Sequence, residues 1–172
     1  DKAMRYSAKL VKNVFKVINM KKLVGATMVD PPKRRRLISR QLSQTDIPQK
    51  IAEIDGHQLI TLFPGHPTRR HVFYLHGGGY ALEASPFHKE IQERFVKRYN
   101  LKVSYFDYPL APENTAEKTV PLTEMAFRQL AYLYPDDCFF LFGDSAGGGL
   151  AMSLAQHLRC LLYTSPSPRD MR

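Results

Sequence analysis

Ser145 is the residue of this chain whose surroundings best suit a nucleophile. It lies in Gly143-Asp144-Ser145-Ala146-Gly147, a G-x-S-x-G spacing with a glycine two positions before and two after the serine. A side chain at either glycine would clash as a strand and a helix close together across the turn. The residues before the motif, Cys138 to Phe142, are apolar and strand-like, and those from Leu150 to Leu158 carry helical spacing. Strand, tight turn and helix together lift the serine out of a sheet on strained backbone. The N-terminal end of a helix stands behind it, where partial positive charge favours a developing anion. A second candidate is Gly77-Gly78-Gly79, directly after the apolar run from His71 to His76. Each glycine costs backbone entropy. The three read either as a sharp turn or as bare backbone whose N–H groups meet an approaching anion, and taken alone they leave both readings open.

These two motifs need elements to hold them. Residues 49–63 read as a β-hairpin, with Ile51 and Ile54 before Asp55-Gly56 and Leu59, Ile60 and Leu62 after it. His57 and His66 fall at or beyond its edges and read as exposed loop residues. The strand from His71 leads into the glycines. Ser85-Pro86 then marks a helix start, opening an amphipathic helix through Ile91, Phe95 and Tyr99, with His88 a structural residue of its first turns. Residues 101–108 read as a strand with Val103 and Tyr105 inward. Asp107 to Glu113 is a proline-bounded turn whose carboxylates serve equally as backbone caps or as chemical groups. A further helix from Pro121 to Tyr134 carries Leu122, Met125, Ala126, Leu130 and Leu133 on its apolar side. Strands thus alternate with helices, which predicts an α/β fold with a parallel or mixed sheet covered on both faces. Functional loops are then expected at the C-terminal ends of the strands. Both motifs follow strands, so both emerge on that edge.

Composition narrows the class. The chain has 172 residues, 44% of them apolar, enough for one domain with a core. Its net charge of +9 is unevenly spread: residues 1–40 hold twelve Lys/Arg against two Asp, a balance of +10, and residues 41–172 hold thirteen basic against fourteen acidic, a balance of −1. The basicity is a property of the N-terminal segment. There Val11, Val14, Phe15 and Ile18 share a helical face while Lys9, Lys12, Lys16, Lys21 and Lys22 fall largely elsewhere. This amphipathic helix packs on its own domain in one reading and lies on a membrane surface through residues 1–24 in another, less favoured one. Pro31-Pro32 end it. The charge run Lys33 to Arg36 has no aromatic interleaving and reads as a solvated linker, which argues against nucleic-acid binding. The two cysteines form no disulfide framework: Cys138 falls in the predicted core strand, where a buried inert thiol is expected, and a reducing, cytoplasmic location follows.

Three motifs taken together carry a resemblance. HGGGY at 76–80, DYPLAPE at 107–113 and GDSAGGG at 143–149 stand in the order and spacing that resemble the hormone-sensitive-lipase-like family of α/β-hydrolases. The resemblance implies an α/β-hydrolase fold, with the mostly parallel sheet cut short after the helix that follows Ser145. It also implies a serine carboxylesterase or lipase that works without metal or organic cofactor on small-molecule esters of short or medium acyl chains. By this resemblance Ser145 is the nucleophile, and the N–H groups of Gly78, Gly79 and Ala146 form an oxyanion hole, with Gly77 in the same loop. His76 is the motif's structural histidine, Gly143 and Gly147 shape the elbow, and Asp144 fills a variable position and is not the triad acid. Pro109 departs from the arginine common in the family. Residues 1–40 resemble part of a cap region and residues 41–159 a partial hydrolase domain. A ligand-binding protein on the same scaffold, using the pocket without hydrolysis, is the alternative reading.

The family order places an Asp or Glu and then a His well beyond the serine, and only His157 follows it here, in the helix leaving the elbow. Without a base the Ser145 hydroxyl stays protonated and a poor nucleophile, so the chain as written is expected to be inactive. Residues 160–172 lack the pattern of the helix they interrupt, and CLLYTSPSPRD from Cys160 to Asp170 resembles the translation of a transposase sequencing adapter. The expectation is that genuine sequence stops near Arg159 and that the chain is an N-terminal part, with an exposed sheet edge prone to aggregation.

Overall fold

The computed structural model describes residues 45–164, with side chains as far as Arg159. The expected N-terminal helix and the basic segment of residues 1–40 lie outside them. In chain order the elements are β1 (Gln49–Ile54), β2 (His57–Leu62), β3 (Arg70–Leu75), α1 (Pro86–Tyr99), β4 (Lys102–Phe106), α2 (Ala116–Leu133), β5 (Cys138–Gly143) and α3 (Ala146–Thr164).

The five strands form one mixed sheet in the order β1-β2-β4-β3-β5. The β1–β2 hairpin turns at Asp55 and Gly56, with φ of 49° and 78°, the left-handed pair that matches the twist of the flanking strands. β2 runs antiparallel to β4, while β3 is parallel to both β4 and β5. The chain passes from β3 to β4 in one direction and back past β3 to β5 in the other. Because crossovers between parallel strands keep one hand, that reversal sends α1 and α2 to opposite faces. The period of two along β3 then feeds two cores. Val72 and Tyr74 pack with Ile60, Leu62, Val103 and Val96 of α1 on one face. Phe73 and Leu75 pack with Phe106, Leu122, Ala126 and Leu130 of α2 and Leu150 and Leu154 of α3 on the other. The α/β architecture with a helix-covered mixed sheet is therefore as the sequence predicts.

Several local expectations change. His57 is the first residue of β2 rather than a loop residue; its Nδ1 lies 3.0 Å from the Asp107 carbonyl and its ring meets Phe106 edge-on. The inward stripe of α1 is His88, Gln92 and Val96, one residue on from the predicted stripe, because His88 turns into the protein, and Tyr99 is exposed. Helix α2 begins five residues before Pro121. Thr115 sits at its N-cap position in extended conformation, and the Thr119 hydroxyl donates to the Pro109 carbonyl at 2.8 Å, so the helix is anchored before the proline is reached. Met125 and Leu133, predicted on the apolar side, are exposed, and Thr119 and Thr123 take part of the buried face. Cys138 is exposed rather than buried, since β5 is an edge strand among the described residues. Helix α3 runs through Thr164, where the sequence pattern predicts an interruption after Arg159.

Candidate active site

The last residues of β3 and β5 are neighbours, Leu75 beside Gly143, so the chain segments that follow them meet at one edge of the sheet. Ser145 follows β5 by two residues and precedes α3 by one, with φ of 49°. A serine in the left-handed region is strained, and here the turn imposes it. A Cβ on Gly143 would strike the backbone of Gly147, and one on Gly147 would strike the carbonyls of Leu75 and His76. The elbow closes only because both positions are bare. The N–H groups of Gly147 and Gly148 turn back onto the Asp144 carbonyl at 2.8 and 3.3 Å, which begins the helix immediately behind the serine.

The glycine loop bends at Gly78, Gly79 and Tyr80, all with positive φ. Ala81 and Leu82 both donate to the Gly78 carbonyl, at 3.1 and 3.0 Å, and a Cβ on Gly78 would meet Leu82. Gly77, read from sequence as part of the anion loop, has its N–H donated to Asp144 Oδ1 at 3.1 Å. Its N–H is therefore committed, and it supports the loop instead of lining it. Among the described residues no hydrogen bond engages the N–H of Gly78, Gly79 or Ala146. Those three donors stand on the two segments that flank Ser145.

Asp144 binds the two segments to each other. The Tyr74 hydroxyl and the Gly77 N–H both donate to Oδ1, the former at 2.8 Å, and His88 Nε2 lies 3.2 Å from Oδ2. Burial works to push this carboxyl up, but the Tyr74 hydrogen bond, the His88 imidazole and the Gly77 N–H outweigh it, and the group is held below the usual carboxylate range. The same contact, with burial as the larger cause, pushes the Tyr74 hydroxyl up, so it stays a donor. Sequence alone gave Asp144 no role beyond its place in the motif and treated His88 as structural. The signal that could have found them is Ser85-x-x-His88 at a helix start, which aims a ring rather than a carboxylate at the cap.

His76 is buried, stacked on Tyr108 with ring centroids 4.4 Å apart, and its Nδ1 meets the Gly77 carbonyl at 2.8 Å. Burial lowers it to about 4, so it is neutral. Its Nε2 has no partner among the described residues. The Tyr108 hydroxyl donates to the His76 carbonyl at 2.6 Å, which ties the DYPLAPE turn under the glycine loop. His157, on α3, faces Glu124 of α2 at 3.3 Å.

A second carboxylate–imidazole–hydroxyl chain lies at the opposite ends of the strands. His71 stands between Asp137, 3.0 Å from Nδ1, and the Ser104 hydroxyl, 2.7 Å from Nε2, with Thr61 beyond Ser104 and Lys102 also on Asp137. The order of groups matches a catalytic relay, but His71 and Ser104 are fully buried, each at 0% exposure. Burial and the Lys102 charge lower His71 to about 4 against the opposing pull of Asp137. This is a satisfied polar core, and it fixes the register of β2, β3 and β4. Among the described residues no cluster of His, Cys, Asp or Glu could hold a metal ion, and no helix is long and apolar enough to cross a membrane.

Residues 72–165 match a family model described as the α/β hydrolase fold. The chain is 35% identical over 99 residues to the esterase LipU of Mycobacterium tuberculosis, covering 57% of this chain and 33% of that protein. It is 33% identical over 137 residues to a triacylglycerol lipase of the same organism, covering 78% of this chain and 30% of that one. Among solved structures, an esterase from the bacterial hormone-sensitive lipase family superposes with a TM-score of 0.63 at 30% identity, covering 77% of this chain and 46% of that one. The chain thus spans about a third of the length of the curated relatives it matches.

Proposed function

We propose, from the premise that this chain belongs to the α/β-hydrolase fold family, in its hormone-sensitive-lipase-like part, that it carries the nucleophile and oxyanion hole of a serine carboxylic-ester hydrolase. Ser145 Oγ attacks the ester carbonyl, the carbonyl π electrons pass to its oxygen, and the hydroxyl proton passes to a general base. The oxyanion is met by the N–H groups of Gly78, Gly79 and Ala146, and removal of one such donor typically costs about 100- to 1000-fold in rate. Collapse expels the alcohol, which takes up the proton, and water then hydrolyses the acyl-enzyme. The observation that carries the reading is the junction itself: a serine at positive φ between β5 and α3, flanked by three N–H groups without partners among the described residues.

The base and its acid partner lie outside residues 45–159. Of the six histidines, His57, His71, His76, His88 and His157 each contact a group other than the Ser145 side chain, and His66 lies exposed in the β2–β3 connection, its backbone N–H donated to Asn100 Oδ1. Substrates are small-molecule esters; short or medium acyl chains follow from the family resemblance and from relatives called esterases and a triacylglycerol lipase. The test is hydrolysis of p-nitrophenyl esters of graded chain length by the protein expressed from its complete open reading frame, beside Ser145→Ala. Activity abolished by the substitution is expected. Undiminished hydrolysis by Ser145→Ala, or acyl-ligand binding without turnover by the wild type, would overturn it.

A further inference from the structure

We propose that His88 is a positioning residue for the oxyanion loop, acting through Asp144; the inference rests on the ester-hydrolase reading for its kinetic part. His88 is nine-tenths buried and bridges two structures that sequence spacing does not connect. On one side the Ser85 N–H donates to Nδ1 at 2.8 Å, with the Ser85 hydroxyl 2.9 Å from the same nitrogen. A ring nitrogen that accepts from a backbone N–H carries no proton, so in the neutral ring the proton resides on Nε2. On the other side that Nε2–H faces Asp144 Oδ2 at 3.2 Å. The backbone at Ser85 therefore selects the tautomer that donates to the carboxylate beside Ser145.

The consequence reaches the loop in one further step. Asp144 spends Oδ1 on the Tyr74 hydroxyl and the Gly77 N–H, and Oδ2 on His88. A Cβ on Gly77 would collide with Oδ2, so the carboxylate packs directly against the loop backbone. Without the His88 bond, Oδ2 loses its donor, and the carboxylate can pivot about its bond to Cβ. The Gly77 N–H then loses its acceptor, and Gly78 and Gly79 follow in sequence. Displacements of this kind in donor groups cost rate and leave ground-state binding largely intact. His88 touches no substrate in this account.

Two substitutions separate this role from helix capping. Asn at 88 places its carbonyl oxygen near the Nδ1 position and keeps an acceptor for the Ser85 N–H, but it cannot reach Asp144. Gln is long enough to place an N–H near the Nε2 position, facing Oδ2. With the complete protein, His88→Asn is expected to lower kcat about ten- to a hundredfold with KM within about twofold, and His88→Gln to recover most of that loss. Both variants should keep the wild-type unfolding midpoint to within a few degrees. A parallel readout needs no turnover: in amide NMR spectra, the Gly77 N–H shifts in His88→Asn and returns towards its wild-type position in His88→Gln. A wild-type protein without esterase activity would defeat the functional reading, and the Gly77 resonance would still decide the coupling. An unmoved Gly77 N–H in His88→Asn, or equal kcat in wild type and His88→Asn, would overturn the role of His88. So would a loss that tracks thermal stability and that Gln does not relieve.

Discussion

One methyl group is enough to break the site at two residues, for different reasons. At Gly77 an added Cβ meets the Asp144 carboxylate and carbonyl, so Gly77→Ala drives apart the loop and the elbow. The expected result is a fall in kcat of about a hundredfold or more in the complete protein, read by ester hydrolysis beside a circular dichroism spectrum that stays native. At Gly147 the added Cβ meets backbone carbonyls of Leu75 and His76, which cannot rotate away. Gly147→Ala should therefore cost stability as well, about 1–3 kcal/mol, visible as a lower urea midpoint. An unchanged midpoint would mean that β3 and α3 part more easily than this packing implies. Ser145 and the elbow glycines were legible in the sequence because the elbow demands glycine at fixed offsets. Asp144 and His88 were not, because their partnership joins residues 56 positions apart and no local spacing records it.

At the scale of elements, the pattern of strand and helix was readable wherever periodicity and turn chemistry agreed. Asp55-Gly56 between apolar runs placed the hairpin, and Ser85-Pro86 placed the start of α1. The pattern misled where a polar side chain takes an inward position, as His88 and Gln92 do on α1 and Thr119 and Thr123 on α2. Pro121 misled most, since proline reads as a first-turn residue and here lies six residues into the helix. It leaves the Glu117 carbonyl without an intrahelical N–H donor at residue 121. Pro121→Ala restores that donor, and we expect a stabilisation of about 1–2 kcal/mol, measured by urea unfolding. A destabilised variant would show instead that the proline ring fits a bend required by α2.

At the scale of the molecule, acid and exposed surface are the two vulnerabilities. His71 and His76 are both lowered to about 4 by burial, against about 6.5 in an unfolded chain. Between those values the unfolded chain binds protons that the folded protein refuses. Their contribution is intact above about pH 6.5 and lost as pH falls towards 4, up to about 3 kcal/mol each. Urea midpoints should decline steadily across that window; a flat profile would contradict the buried, neutral state of both rings. On the exposed side, β5 ends the sheet among the described residues and leaves Phe140 and Phe142 exposed at 49% and 40%. An open apolar edge recruits further strands, so the 172-residue chain should self-associate, and Phe140→Lys should reduce that in light scattering. Monodisperse scattering by the unsubstituted chain would contradict it.

The most direct test of the central claim is covalent. The protein from the complete open reading frame, treated with a fluorophosphonate and digested, should carry the phosphonyl group on the peptide containing Ser145, as read by tandem mass spectrometry. Labelling there, abolished by Ser145→Ala, is the predicted result. An unlabelled Ser145 in a folded protein, or a label on another serine, would contradict its assignment as the nucleophile.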